Sequence, residues 1–207
     1  VAEVQAATAR MFPTIKDNRD YTAMINQRHY DRVRGLIDDA RNKGAQIVEI
    51  NPAGEDFSQQ EHRKIPPTLI LNATDDMSVM QEEIFGPVMP VMTYTSFEDT
   101  VADVNSRPRP LALYYFGDDE QEAETLLNRT HSGGVTINDV IFHFAMDDLP
   151  FGGVGASGIG AYHGHRGFIE FSHEKAIYRQ TASEMIAMLR PPYGEKFRKQ
   201  VAAQLKR

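Results

Sequence analysis

The sequence predicts an α/β fold in three layers, with a largely parallel sheet between flanking helices and a C-terminal edge strand and tail. Short apolar runs alternate with amphipathic helical patterns over residues 22–138, as in βαβ units. The chain has 207 residues, of which 41% are hydrophobic and 25% charged, so it can bury the core that such a sheet needs.

The first half of the chain supplies two helical patterns and three strands. Apolar residues at helical spacing predict helices over residues 1–11 and 22–43, the second ending at Gly44. The apolar face of the second helix consists of Ile25, His29, Val33, Leu36, Ile37 and Ala40. The predicted strands are residues 46–50, 68–71 and 87–94, and residues 55–64 are a polar loop.

The second half continues the alternation as far as residue 138. Ser96 is a plausible N-cap, with Asp99 three residues on, for a helix over residues 97–105. A strand at 111–116, a helix at 120–129 and a strand at 133–138 follow. Beyond them we predict an edge strand at 175–180 and a basic helix from about residue 194 to the end.

Composition excludes several classes of function. The net charge of −7 argues against a nucleic-acid partner, which would need clustered Lys and Arg. We see no signal peptide and no apolar run long enough to span a bilayer. The absence of cysteine removes any disulfide framework, and a cytoplasmic protein fits best.

The chain begins inside a helical pattern that has no N-cap. We therefore expect it to be a piece of a larger protein. The alternative is that only a few N-terminal residues were removed.

Three local patterns resemble a dinucleotide-binding loop, a metal site and a serine nucleophile, but the neighbouring residues do not support these functions. Residues 153–158 match Gly-x-Gly-x-x-Gly, but no good strand precedes them and no good helix follows, so we expect a glycine-rich loop beside an active-site entrance. His163 and His165 have no nearby carboxylate to complete a metal site. Ser157 is not in a Gly-x-Ser-x-Gly elbow.

Glu82 and Glu83 stand just before Phe85 and a Gly-Pro turn at a strand entry. Adjacent carboxylates are usually solvated. An acidic side chain can also accept hydrogen bonds from both hydroxyls of a ribose, and a neighbouring ring can pack on a nicotinamide. The residues alone leave both readings open.

Three segments, in this order, resemble signature motifs of the NAD(P)-dependent aldehyde dehydrogenases. Residues 82–87 (Glu-Glu-Ile-Phe-Gly-Pro) are similar to the family's Glu-x-Phe-Gly-Pro motif, residues 133–138 to its Gly-x-x-x-x-Asn strand, and residues 150–158 to its Pro-Phe-Gly-Gly…Ser-Gly segment. Residues 162–175 resemble the branch that contains the coniferyl-aldehyde and fatty-aldehyde dehydrogenases. Order and spacing agree over roughly residues 1–180.

The resemblance implies roles for four residues. Glu83 would bind the nicotinamide ribose of NAD or NADP, and Phe85 would border the nicotinamide ring. Phe151 would form part of the aldehyde pocket, and Asn138 would stabilise a turn near the site. We expect residues 82–87 and the glycine-rich stretch to face one cavity.

Two departures limit what can be carried over. The family's cysteine nucleophile and general-base glutamate segments are absent, so this chain has no catalytic residue of its own. Many members carry Gly-Arg-Glu where this chain has Gly160-Ala161-Tyr162, so no carboxylate role is assigned there.

The implied reaction begins with a cysteine thiolate attacking an aldehyde, possible substrates being coniferyl, other aromatic or long-chain aldehydes. The thiohemiacetal passes a hydride to NAD(P)⁺ and water hydrolyses the thioester. We therefore expect the chain alone to be inactive, to need a dinucleotide-binding domain from elsewhere in the protein, and to form a homo-oligomer.

On this reading, residues 1–171 are a partial catalytic domain and residues 172–207 a tail with an oligomerisation strand and a terminal helix. Two alternatives stay open: a non-catalytic α/β binding or scaffold module, and a reductive acyl-phosphate enzyme on the same scaffold, which would also need a cysteine.

Overall fold

The computed structural model describes residues 1–180 and 190–205 and divides into two compact units, Val1–Thr100 and Val101–Arg207. Its helices are α1 (Ala2–Met11), α2 (Gln27–Asn42), α3 (Ser78–Gln81), α4 (Phe97–Ser106), α5 (Glu120–Arg129), α6 (Phe142–Ala145), α7 (Gly164–Glu170) and α8 (Glu195–Gln204). Its strands are β1 (Gln46–Glu49), β2 (Thr68–Leu71), β3 (Val88–Val91), β4 (Ala112–Tyr115) and β5 (Gly134–Ile137). Within the described residues, no helix has both the length and the apolar character that crossing a membrane requires.

The core of the first unit lies between α2 and a three-stranded sheet. The helix buries one face, as its spacing predicts, and that face meets the buried side chains of β2 and of the segment around α3. The buried members of this core are Val33, Leu36, Ile37, Ala40, Ala45, Ile65, Ile70, Met77, Val79 and Val88.

Helix α2 begins five residues later than the spacing predicts. The side-chain oxygen of Asn26 accepts a hydrogen bond from His29 N at 3.0 Å, which caps the first turn at Gln27. Ile25 consequently lies outside the helix and is 78% exposed, so it does not join the core face. The prediction missed this start because the apolar pattern continues across the cap.

The sheet of the first unit has the order β1-β2-β3, with β2 parallel to β3. Strand β1 is an exception within the largely parallel arrangement that the sequence predicts, since it pairs with β2 antiparallel. It is also only half buried, whereas its apolar run predicts a buried strand. The connection between Glu49 and Thr68 contains no helix, whereas parallel strands are usually joined by a helical crossover. Strand β3 is also shorter than the predicted 87–94.

In the second unit, β4, α5 and β5 form a βαβ unit with parallel strands, as predicted. Asp119 caps α5 by accepting hydrogen bonds from two main-chain N–H groups, Gln121 N at 2.9 Å and Glu122 N at 3.1 Å. The parallel pairs confirm the α/β class.

The predicted cap of α4 is also present and is reciprocal. Asp99 N donates to the Ser96 hydroxyl at 3.3 Å, and Ser96 N donates to the Asp99 carboxylate at 3.0 Å. Hydrogen bonds from the Thr95 and Ser96 side chains lower the pKa of Asp99, so the carboxylate keeps the charge that suits a helix N-terminus.

The glycine-rich segment folds back on itself. A Cβ on Gly153 would lie 2.1 Å from the main-chain oxygen of Ser157, so only glycine fits there. Val154 N donates to the Ser157 hydroxyl at 2.9 Å, which gives this serine a role in closing the loop. In a pyrophosphate site, a helix begins directly after the glycine-rich loop. Here the next helix in the described chain, α7, begins only at Gly164, so the glycine-rich loop does not lead directly into a helix. Helix α7 itself was not predicted.

The tail differs from the prediction. Residues 173–180 are exposed and form no strand within the described chain, because a strand needs a neighbouring edge to pair with and none is provided here. Helix α8 confirms the predicted basic helix. Residues 181–189 and 206–207 of the predicted tail lie outside the described residues. The proposed division after residue 171 stays a prediction.

The α2–sheet core yields a direct test of stability. Ile37 is fully buried, so Ile37→Ala should lower the free energy of unfolding by about 2–5 kcal/mol through lost burial and a residual cavity. The control is Ile25→Ala, which truncates an exposed isoleucine and should change stability by less than about 0.5 kcal/mol. Urea denaturation measures both; equal effects would contradict the assigned core.

Candidate functional site

The loop of residues 82–87 joins α3 to β3 in the first unit and carries both residues to which the sequence assigns cofactor contacts. Glu83 is exposed, and Phe85 is 75% exposed with a left-handed backbone at φ 47°. A phenylalanine in this conformation costs free energy, and such strain persists only where the surroundings impose it.

Arg32 of α2 contacts this loop at three points. Its guanidinium donates to Glu83 O at 3.0 Å, to Ile84 O, and to the carboxylate of Glu82 at 3.2 Å. The structure therefore gives the two adjacent carboxylates different surroundings. Glu82 is in an ion pair, whereas Arg32 contacts Glu83 through its main-chain oxygen.

Val33, the next residue of α2, fixes the other side of the loop. It is fully buried, and a Cβ on Gly86 would lie 2.9 Å from one of its methyl groups. Only glycine lets the loop approach the helix this closely. Sequence reasoning placed Val33 in the core but missed Arg32, because an arginine on a helix gives no signal of a contact some fifty residues away.

An open cleft of about 720 Å³ adjoins Phe85 within the first unit. Its walls are mainly apolar or aromatic and include Phe12, Tyr21, Met24, His29, Phe85 and Pro87. Burial raises the pKa of Tyr21, whose hydroxyl donates to Ile65 O at 2.7 Å, so this phenol stays neutral and tied to the main chain. The Nδ1 atom of His29 is buried and makes no hydrogen bond among residues 1–180 and 190–205.

These features fit the nicotinamide end of a dinucleotide. An exposed carboxylate can accept ribose hydroxyl hydrogen bonds, and an exposed ring beside an apolar cleft can cover a flat heterocycle. When bound there, NAD(P)⁺ would supply the hydride acceptor.

Phe151, assigned to the aldehyde pocket, lies in an aromatic cluster of the second unit. Main-chain hydrogen bonds of 2.9 Å in both directions pair it with Tyr162. Its ring meets Tyr162 edge-on at 5.6 Å, stacks with His163 at 5.9 Å and meets Phe144 edge-on at 5.0 Å between centroids. The cluster is only partly buried, so its rings form a wall that a ligand could contact.

A buried polar pair supports this wall. The Thr136 hydroxyl and His143 Nδ1 are 2.7 Å apart, and His143 N donates to the same hydroxyl at 3.2 Å. The pair joins β5 to α6, which carries Phe144 beside Phe151. Sequence reasoning missed His143, since a lone histidine in an aromatic stretch shows no partner.

Asn138 acts as a turn-stabilising residue, as predicted. It has φ 57°, accepts a hydrogen bond from Gly117 N and donates one to Gly117 O, both at 2.9 Å. Its side chain thus joins the segments that follow β4 and β5. Its amide is engaged with main chain rather than presented to a substrate.

The two histidines considered for a metal have different surroundings. His163 is within the aromatic cluster, and its Nδ1 is buried with no hydrogen-bond partner in the described part of the chain. His165 stacks on Phe168 at 6.4 Å. Over the described ranges there is no group of three His, Cys, Asp or Glu side chains that could hold a metal ion.

The chain matches known proteins along most of its length. The aldehyde dehydrogenase family matches residues 1–177. A protein named probable coniferyl aldehyde dehydrogenase, from Caulobacter vibrioides, is 64% identical over 100% of this chain and 43% of its own length. The chain thus spans less than half the length of this relative.

Solved structures agree with the family match. A substrate-bound state of Staphylococcus aureus AldH has a TM-score of 0.75 and 40% identity, over 96% of this chain and 42% of that one. A mutant of aldehyde dehydrogenase C from Pseudomonas syringae, in complex with NAD⁺ and octanal, has a TM-score of 0.67 and 27% identity, over 82% of this chain and 36% of that one. From the match over residues 1–177, this chain belongs to the aldehyde dehydrogenase family.

Proposed function

We propose that this chain is the C-terminal part of an enzyme that oxidises an aldehyde to the carboxylic acid with NAD(P)⁺. The observation that carries the proposal is the 82–87 loop, where the exposed carboxylate of Glu83 lies two residues before the exposed ring of Phe85, which lines an apolar cleft. Family membership supports the reaction class. The chain itself contributes contacts to cofactor and substrate.

The nucleophile must come from elsewhere in the full-length protein, because these 207 residues include no cysteine. A thiolate would form the covalent intermediate with the aldehyde, and effects of groups that act as a unit are strongly non-additive. Glu83 would hold the nicotinamide ribose, Phe85 would border the ring, and Phe151 would limit water around the reacting carbon. That these residues face one cavity stays a prediction.

We further propose an aromatic aldehyde, such as coniferyl aldehyde, as substrate. The support is the cluster of Phe144, Phe151, Tyr162 and His163, together with the printed name of the Caulobacter relative. A cytoplasmic location also stays a proposal. Oligomers are proposed to form through residues 175–180, which are exposed and could pair with a neighbour's sheet edge.

A non-catalytic α/β binding module is the second candidate. The absence of cysteine from this chain favours it only if the full-length protein also lacks a nucleophile. The activity assay below separates the two candidates.

The first prediction from the proposed function concerns activity. The full-length protein should reduce NAD⁺ or NADP⁺ in the presence of coniferyl aldehyde, whereas the 207-residue chain should not, because it has no thiolate. Absorbance at the wavelength of the reduced nicotinamide measures both. A full-length protein without turnover on any aldehyde would favour the binding module; turnover by the chain alone would refute the cysteine mechanism.

The second prediction separates the adjacent glutamates. In the full-length enzyme, Glu83→Gln removes a charged acceptor and should raise KM for NAD(P)⁺ by at least about tenfold, since such hydrogen bonds contribute roughly 1.5–3 kcal/mol. The control is Glu82→Gln, which removes only an exposed ion pair worth about 0–1 kcal/mol. Initial rates at varied cofactor concentration give both constants; a larger effect at Glu82 would contradict the assignment.

The third prediction concerns the aromatic wall. Phe151→Leu keeps an apolar side chain but loses ring contacts worth about 0.5–1.5 kcal/mol, so kcat/KM for coniferyl aldehyde should fall by about two- to tenfold. Phe168→Leu is the matched control, because Phe168 is 70% exposed on α7. An aliphatic aldehyde should be less affected; equal losses on both aldehydes would remove Phe151 from substrate selection.

A further inference from the structure

We propose that Arg32 is a positioning residue for the 82–87 loop. By holding the main chain on the N-terminal side of Phe85, it orients Glu83 and Phe85 toward the nicotinamide riboside. This inference rests on the proposed function and assigns Arg32 no contact with the cofactor.

The contacts of Arg32 suit this role. Its planar guanidinium donates to two successive main-chain oxygens, Glu83 O at 3.0 Å and Ile84 O. Its side chain is 29% exposed, so these hydrogen bonds are partly shielded from water. A rigid fork that binds two consecutive carbonyls fixes the orientation of both peptide planes, which a lysine could not do with one point charge.

The loop needs such a constraint at Phe85. A left-handed non-glycine residue costs about 1–2 kcal/mol, and the ring is too exposed to repay this by burial. Arg32 donates to Ile84 O and so holds the peptide before Phe85. The Val33 side chain packs close to Gly86, the residue after it. Consecutive residues of one helix thereby hold the strained residue from both sides.

The charge of Arg32 has a second effect. Its ion pair with Glu82, at 3.2 Å, offsets the repulsion between two adjacent carboxylates. Loss of Arg32 should both loosen the loop and leave two neighbouring negative charges uncompensated.

Hydrogen exchange of the full-length protein tests the positioning without relying on activity. In Arg32→Met, exchange of the Glu82 amide, which donates to Ser78 O at 3.2 Å where the loop begins, should quicken by on the order of tenfold, because the loop loses about one net hydrogen bond of stabilisation. Exchange in β2 and α2 should stay unchanged. Arg41→Met is the matched control, because Arg41 also forms surface ion pairs, with Asp38 and Glu49, but in the last turn of α2.

Kinetics supply the functional readout. Arg32→Met should raise KM for NAD(P)⁺ by about tenfold, because small displacements of positioning groups cost one to two orders of magnitude. Arg32→Lys should lie between Arg32→Met and wild type, since it keeps the charge but not the fork. Arg41→Met should match wild type.

Two results would overturn the inference. One is an Arg32→Met protein that equals Arg41→Met in loop exchange and cofactor KM. The other is faster exchange spread evenly over the molecule, which would make Arg32 a residue of general stability. If wild type reduces no NAD(P)⁺ with any aldehyde, the proposed function fails separately, and loop exchange alone decides whether Arg32 orders the loop.

Discussion

The packing of α2 against the β1-β2-β3 sheet is the constraint on which the candidate cofactor site depends. One face of the helix is buried in the core, through residues such as Val33 and Ile37. Because that face is packed into the core, the position of α2 beside the loop is defined by this packing. The Arg32 side chain extends from α2 and donates hydrogen bonds to the 82–87 loop. Gly86 of that loop lies close to the Val33 side chain.

Backbone strain occurs at several residues that are assigned to the site or lie near those residues in the chain. Phe85, Asn138, Ile141 and His163 all have positive φ although none is glycine. Three of these four have an identifiable restraint nearby: the guanidinium of Arg32 for Phe85, the two Gly117 hydrogen bonds for Asn138, and the ring contacts of Phe151 and Tyr162 for His163. Strain that is held by specific contacts is typical of functional segments.

The elements with strong periodicity could be predicted from sequence, whereas contacts between distant residues could not. The β4-α5-β5 unit and the capping of α4 follow from local patterns of apolar, turn and cap residues, and both are present. The start of α2 was missed because the helix is capped by the Asn26 side chain, whereas the apolar pattern begins earlier and continues across this cap. The antiparallel pairing of β1 depends on the path of the connection to β2, and the sequence of that connection has no periodic pattern from which the path could be predicted.

The same limit applies to the site. The resemblance identified Glu83, Phe85 and Phe151, which stay proposals, but only coordinates revealed Arg32 and the Thr136–His143 pair. The predicted strand at 175–180 is absent from the described chain. Its alternating pattern indicates a segment that can pair with another strand, but such pairing needs a neighbouring strand edge. Local sequence specifies what a segment can pair with, not whether the partner is in the same chain.

The central claim is that a loop held by α2 presents Glu83 and Phe85 to the nicotinamide riboside. A crystal structure of the full-length protein with NAD⁺ or NADP⁺ bound would test it most directly. The account predicts the Glu83 carboxylate within hydrogen-bonding distance of the nicotinamide ribose hydroxyls and the Phe85 ring along the edge of the nicotinamide. A ribose held by other residues, with Glu83 facing solvent, would contradict it.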